Sequence, residues 1–338
     1  MFQRVPEFWK SDLDTIERMA RESGATQLCL SAGGRPIWLF EFGERQKIIS
    51  HANYCSALNV NDLKAYIEND CKKPVILLVG AIHGQETEGV AALLNLISLL
   101  QTGKDFAGHP NDSLVEATRQ VRLLVIPVAN PDGRARVVPV SMVGCKKEDL
   151  EYWGQGTWKD GSLCGWPDCK KVHPIKDAAG FLGGYFNDDG VNMMCDNCFS
   201  PMARETLALL KLAADEFSDY VVLLHGGTND MNSLKPTSAV PQSVNLEICE
   251  LAKICDDEAK KEGLRFKEVP EQESPAFTLT SGLHHTCGAV SMVFESNECV
   301  TDVDWGVKYT HEQIYRSHMI LFEQLFTRAL ETASLLRT

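Results

Sequence analysis

The stretch from Pro74 to Leu100, PVILLVGAIHGQETEGVAALLNLISLL, constrains the fold more than any other part of the chain. Val75-Ile76-Leu77-Leu78-Val79 is a continuous run rich in leucine and β-branched residues, the pattern of a strand buried on both faces. Gly80 to Gly84 turn the chain. From Glu86 onward, Val90, Leu93, Leu94, Ile97 and Leu100 recur on one helical stripe. In open α/β sheets, ligands collect at the carboxyl edge where a strand hands over to a helix. His83-Gly84-Gln85-Glu86 stands at that junction. An imidazole and a carboxylate three residues apart in a tight turn can face one point, as half of a two-histidine, one-glutamate zinc site. The plainer reading is a polar turn residue followed by a glutamate that favours a helix N-terminus.

The remaining chain repeats the strand-then-helix order. Ser11 and Asp14 suggest a capped first helix with Leu13, Ile16 and Met19 on its apolar face. Gln27–Leu30 and Ile37–Phe42 read as a hairpin turned by Gly33-Gly34, and Lys47–Ser50 as a further short strand. The polar segment 51–73 allows a short helix at Leu63–Ile67. Val121–Val128 is an apolar strand that ends in Asn130-Pro131-Asp132-Gly133, a turn with two arginines just beyond it. Ala203–Phe217, Asn245–Glu262 and Thr310–Leu336 carry helical periodicity. Tyr220–Leu224 and Ala289–Phe294 are strands that end in His225 and Glu295. The expected class is α/β, one domain over residues 1–338, with a twisted, mostly parallel or mixed sheet covered by helices on both faces. Residues 138–200 stand apart: rich in tryptophan, cysteine and glycine and poor in periodicity, they read as a long ordered insertion.

Charge and cysteine usage narrow the function. A net charge of −13 over 338 residues argues against nucleic acid or an anionic membrane surface as partner. The apolar runs are strand-sized, too short to span a bilayer, and the first residues lack the apolar core of a signal peptide. Twelve cysteines without such a signal suggest a reducing, cytoplasmic setting. Cys164, Cys169, Cys195 and Cys198 could form a four-thiolate structural zinc knuckle, the alternative being reduced thiols without metal.

Three strands thus deliver ionisable groups at their carboxyl ends, and an unpaired carboxylate in such a place is costly. With Gly34-Arg35-Pro36-Ile37, the His83–Glu86 motif, Asn130-Pro131-Asp132-Gly133, Arg204-Glu205-Thr206, His225 and Phe294-Glu295 in this order, the chain resembles the zinc carboxypeptidases, or funnelins, and their aspartoacylase- and desuccinylase-like relatives. The resemblance implies one zinc ion on His83, Glu86 and His225, with Glu295 as the general base for the attacking water. It implies an arginine after the Asn-Pro-Asp-Gly turn that polarises the substrate carbonyl. Arg136 and Arg134 are the arginines available, with Lys170 and Lys171 as outside candidates. The expected activity is hydrolysis of a peptide or small amide. N-acyl amino acid deacylation by the same chemistry is one alternative, and a zinc-containing binding module is another.

Two departures from the family pattern bear on the substrate. The stretch that should end in Asn-Arg reads Asp189-Gly190-Val191-Asn192-Met193, so Asn192 and Met193 stand where the family clamps a terminal carboxylate. Methionine offers an apolar wall instead, and little preference for a free over an amidated C-terminus is expected unless Lys170 or Lys171 replaces the arginine. The family's tyrosine before the general base is also missing, since no tyrosine occurs between Tyr220 and Tyr309.

Overall fold

The apolar run around Leu77 lies at the centre of the sheet. In this computed structural model, which describes residues 4–67, 73–228, 232–269, 276–304 and 306–332, ten strands form in chain order. They are β1 (Thr26–Leu30), β2 (Pro36–Phe42), β3 (Val75–Gly80), β4 (Arg122–Ile126), β5 (Gly156–Trp158), β6 (Ala179–Leu182), β7 (Tyr220–Thr228), β8 (Asn232–Lys235), β9 (Phe266–Lys267) and β10 (Val290–Asn297). Eight of them make one mixed sheet in the order β1-β2-β4-β3-β7-β10-β8-β9, and β5 pairs with β6 separately. The middle strands β4, β3, β7 and β10 run parallel, while β2 and β8 join antiparallel on either side. Every residue of β3 and β4 is buried, which is why both read as unbroken apolar runs.

One face of the sheet is covered by the helices Glu88–Thr102, Gln242–Lys260 and His311–Thr332, the other by Arg204–Glu216 and Leu279–Cys287. Two apolar clusters, one on each side, make the core. The helix Glu88–Thr102 is buried all round from Glu88 to Leu99, not along a single stripe. It sits so close to the sheet that a Cβ on Gly89 would lie 2.6 Å from that of Leu224.

Several boundaries differ from the sequence reading. Asp12, not Ser11, caps the first helix, accepting from the Thr15 backbone N–H. Lys47–Ser50 is not a strand, and the segment after it holds a short helix at Tyr54–Asn59 and a 3₁₀ turn at Leu63–Ala65. The last turn of the terminal helix, read to Leu336, falls outside the described residues. No described helix is long and apolar enough to cross a membrane.

The insertion is ordered by backbone packing rather than by apolar periodicity. Gly84, Gly133 and Gly184 meet where three segments touch: a Cβ on Gly84 would lie 2.1 Å from Arg134 N, and one on Gly133 2.3 Å from Gly184 O. The Gly184 carbonyl accepts from Gly84 N at 2.7 Å and from Asn130 Nδ2 at 3.1 Å. The two glycine-bearing motifs of the sequence are thus joined through the insertion.

Candidate metal centre

Sheet register brings the expected residues together. On the parallel strands β7 and β10, His225 stands opposite Glu295, so both side chains leave the sheet on one face. Gly80 pairs with Leu224, which starts the His83–Glu86 turn one residue before that level. His83, Glu86 and His225 are buried, with donor atoms all within 4.8 Å of one another. Among the described residues this is the single group of three or more such side chains so arranged.

The contacts within the triad fit a cation. His83 Nδ1 lies 2.7 Å from Glu86 Oε1, and His225 Nδ1 2.8 Å from Glu86 Oε2. His83 Nε2 is 3.3 Å from Asn192 Oδ1, which also accepts from the Met194 backbone N–H, so the ring proton belongs on Nε2. That turns the Nδ1 lone pair toward a carboxylate oxygen, a contact that calls for a cation or a second proton between them. A hydrogen-bonded distal nitrogen behind a metal-facing one is the usual setting of a ligating histidine. Burial lowers the pKa of His83. It works the same way on His225, but the neighbouring Glu86 outweighs it and raises that imidazole. Burial alone would raise Glu86, yet the two histidines hold it down at about 2. Two imidazoles and one carboxylate suit zinc, which His83, Glu86 and His225 would hold at the wall of the cleft.

The triad opens into a cleft of about 730 Å³, which Glu295 also lines. Burial raises Glu295 above the ordinary carboxylate range, against the pull of His225. Asn192 lines the cleft as expected. Met193 does not: it is fully buried in the core on one side of the sheet, and Met194 takes the wall position instead.

The two arginines are elsewhere. Arg134 is buried and donates to the carbonyls of Ser11, Val137 and Pro139, and burial lowers it to about 10. Arg136 donates to the Leu182, Gly183 and Phe186 carbonyls and pairs with Asp188. Neither lines the cleft, so the assignment of carbonyl polarisation to Arg136 or Arg134 is corrected: both guanidiniums hold the turn and insertion together. Asp132 belongs to the same lattice, accepting from Ser31 Oγ, Gly33 N, Asp188 N and Arg35. Of the lysines named as outside candidates, Lys170 lines the cleft, whereas Lys171 is exposed and pairs with Asp168.

The four cysteines named for a knuckle form no compact donor set. Cys164 and Cys169 are packed with Ile175 and Phe186 in a small apolar cluster of the insertion. Cys198 packs over Gly282, and Cys195 lines the cleft. None of the four enters any group of three or more metal-binding donors among the described residues, so a four-thiolate knuckle is not assembled there. The described cysteines are free thiols.

Four residues at the site were not read from the sequence. Tyr185 of the insertion stacks on His83, ring centres 3.8 Å apart and planes 2° from parallel, so the aromatic partner comes from the insertion rather than from the segment before Glu295. Lys235 lines the cleft from β8, a four-residue strand too short to show a pattern. Behind the triad, Glu88 and Glu298 are fully buried and face each other across Gly226, where a Cβ would lie 2.6 Å from Glu88 Oε2 and 3.1 Å from Glu298 Oε1. Burial raises both carboxyls, each further by the other's charge or by that of Glu86. Their spacing, two residues after Glu86 and three after Glu295, was the available clue.

The mixed α/β sheet has the fold of solved metallo-carboxypeptidase structures. Residues 15–170 match the zinc carboxypeptidase family model, so the likeness read from the motifs is borne out. A metallo-carboxypeptidase from Burkholderia cenocepacia superposes over 93% of this chain and 67% of its own, at TM-score 0.58 and 14% identity. Carboxypeptidase A from Helicoverpa armigera does so over 98% and 76%, at TM-score 0.55 and 14% identity. A Pseudomonas aeruginosa metallo-carboxypeptidase, solved with (2-guanidinoethylmercapto)succinic acid, covers 96% and 70% at TM-score 0.55 and 13% identity. At such identities these structures speak to the fold. No curated protein matches the chain in sequence.

Proposed function

We propose that the chain is a zinc-dependent hydrolase of amide bonds, acting on a peptide or small amide. The observation that carries the reading is the convergence of His83, Glu86 and His225 within 4.8 Å in a cleft that Glu295 shares. Zinc bound there would polarise a carbonyl and acidify water. Glu295, raised by burial, takes the proton from the attacking water and returns it to the leaving amine. Asn192 fixes the tautomer of His83, and Tyr185 covers the outer face of that ring. A binding module that had lost catalysis would have no need to keep all three ligands and a base aimed into one cleft. The free thiols agree with a reducing, cytoplasmic setting.

Chelation tests the reading. Activity on a library of peptides and acylated amino acids should vanish on metal removal and return with zinc. Absence of turnover on every amide by protein holding one zinc per chain would leave the binding module.

A further inference from the structure

Across β7 from the His-Glu-His centre lies a second group of buried oxygens. His225 and Gly226 are consecutive on this strand, so they face opposite sides of the sheet. His225 turns to Glu86, whereas Gly226 turns to Glu88 and Glu298. Glu88 opens the helix Glu88–Thr102, and Glu298 follows the end of β10. The two residues are 1% and 0% exposed. Glu88 Oε2 and both carboxylate oxygens of Glu298 are buried without any hydrogen-bond donor. The charge of Arg134 reaches Glu88, but its N–H groups go to the carbonyls of Ser11, Val137 and Pro139.

The strand makes room for these oxygens. A Cβ on Gly226 would lie 2.6 Å from Glu88 Oε2 and 3.1 Å from Glu298 Oε1, and one on Gly227 3.7 Å from Glu298 Oε2. The backbone of Gly226 is not in the left-handed region, so its missing side chain serves space rather than conformation. A glycine inside a strand marks a close approach by a ligand or by another backbone. Buried carboxylates are costly unless something offsets their charge. A proton shared between the two residues bridges two oxygens and leaves the third without a partner, whereas a cation takes all three. Charge favours the cation as well. Zinc on the triad is balanced by Glu86 and Glu295, which leaves the two charges of Glu88 and Glu298. Cys145 feels both charges but joins no three-residue donor set with them. Oxygen donors alone select a hard ion of the calcium, magnesium or manganese kind over zinc.

We propose that Glu88 and Glu298 hold a hard divalent cation, in a second metal site back to back with the His-Glu-His centre. The ion ties the start of the helix Glu88–Thr102 to the ends of β7 and β10, and so braces the strand that carries His225. None of the three zinc ligands takes part in it, and the site stands whether or not an amide is hydrolysed on the other side of the strand.

Full-length protein stripped by chelator and reloaded with one equivalent of zinc is titrated with calcium, magnesium or manganese chloride. Bound metal and melting temperature are then read. At least one of the three ions should bind at one per chain besides the zinc, and raise Tm by about 3 °C or more at a roughly hundredfold excess over its Kd. Glu298→Gln keeps the size of the side chain and removes a charge. In that variant the second ion should bind at least roughly tenfold more weakly and the gain in Tm should vanish, with zinc still at one per chain. Glu88→Gln should do the same, and Glu298→Gln decides alone if Glu88→Gln does not fold. No second ion with any of the three chlorides overturns the proposal, because protons then neutralise the pair. A gain in Tm that persists in Glu298→Gln overturns it too, since the ion then sits on the acidic surface. A second ion lost in Glu298→Gln from protein that turns over no amide leaves this site standing and counts against the hydrolase reading alone.

Discussion

The strand ends of the sheet and the insertion at 138–200 build the same cleft by different means. At the strand ends, position follows from register: once β7 and β10 pair in parallel, His225 and Glu295 stand side by side. In the insertion, position follows from individual contacts. Glycines let backbones touch, Arg134 and Arg136 bind carbonyls, and Tyr185 stacks on His83. The first kind of site survives distant sequence divergence, because a sheet has few registers and a one-residue slip would turn the side chains to the other face. The second kind can be rebuilt residue by residue, and is where a chain of this fold acquires its own substrate.

The comparison can be broken at either region. The largest effect is expected at the strand ends: His225→Ala removes one of three ligands, so metal analysis should find the zinc lost and turnover with it. Zinc retained at one per chain would mean that the centre lies elsewhere. Next comes Arg134→Met, which leaves three buried carbonyls without their donor. Denaturant unfolding should show a loss of about 3 kcal/mol, while the folded fraction keeps its zinc. A selective fall in kcat without loss of stability would restore this arginine to the chemistry. Cys169→Ser puts a hydroxyl into an apolar pocket and should cost about 1–2 kcal/mol, with zinc content unchanged. Loss of a second zinc on that substitution would revive the knuckle.

The smallest effect sharpens the region behind the triad. Burial holds the pKa values of Glu88 and Glu298 above the ordinary carboxylate range. The folded state therefore keeps protons that the unfolded chain releases. Stability should be unaffected at acid pH and fall as pH rises past the ordinary carboxylate pKa toward the raised ones. Melting temperatures of Glu298→Gln, recorded from acid to alkaline pH, should decline less than those of the unaltered protein. Parallel curves would show that the pair carries no such cost.

What could be read in the sequence follows the same division. The runs around Leu77, Leu124 and Leu223 are apolar because they are buried on both faces, and a buried strand leaves few other readings for His83, His225 or Glu295 at its end. The arginines misled because spacing after a turn says nothing about which way a side chain leaves it. Arg134 points back to Ser11, a contact 123 residues away in the chain. Met193 misled by one position, since the 3₁₀ turn Met193–Cys195 sends it into the core and Met194 toward the cleft. Lys235 and Tyr185 were invisible for a related reason: a four-residue strand and an aperiodic insertion carry too little pattern to fix a face.

The central claim, that a His-Glu-His centre and Glu295 together hydrolyse an amide, is tested most directly by the zinc content and turnover of Glu295→Gln. The substitution keeps size and hydrogen bonding but removes the base. One zinc per chain with kcat reduced by at least ~10²-fold is the predicted result. Full activity in that variant, or loss of its zinc, would contradict the account.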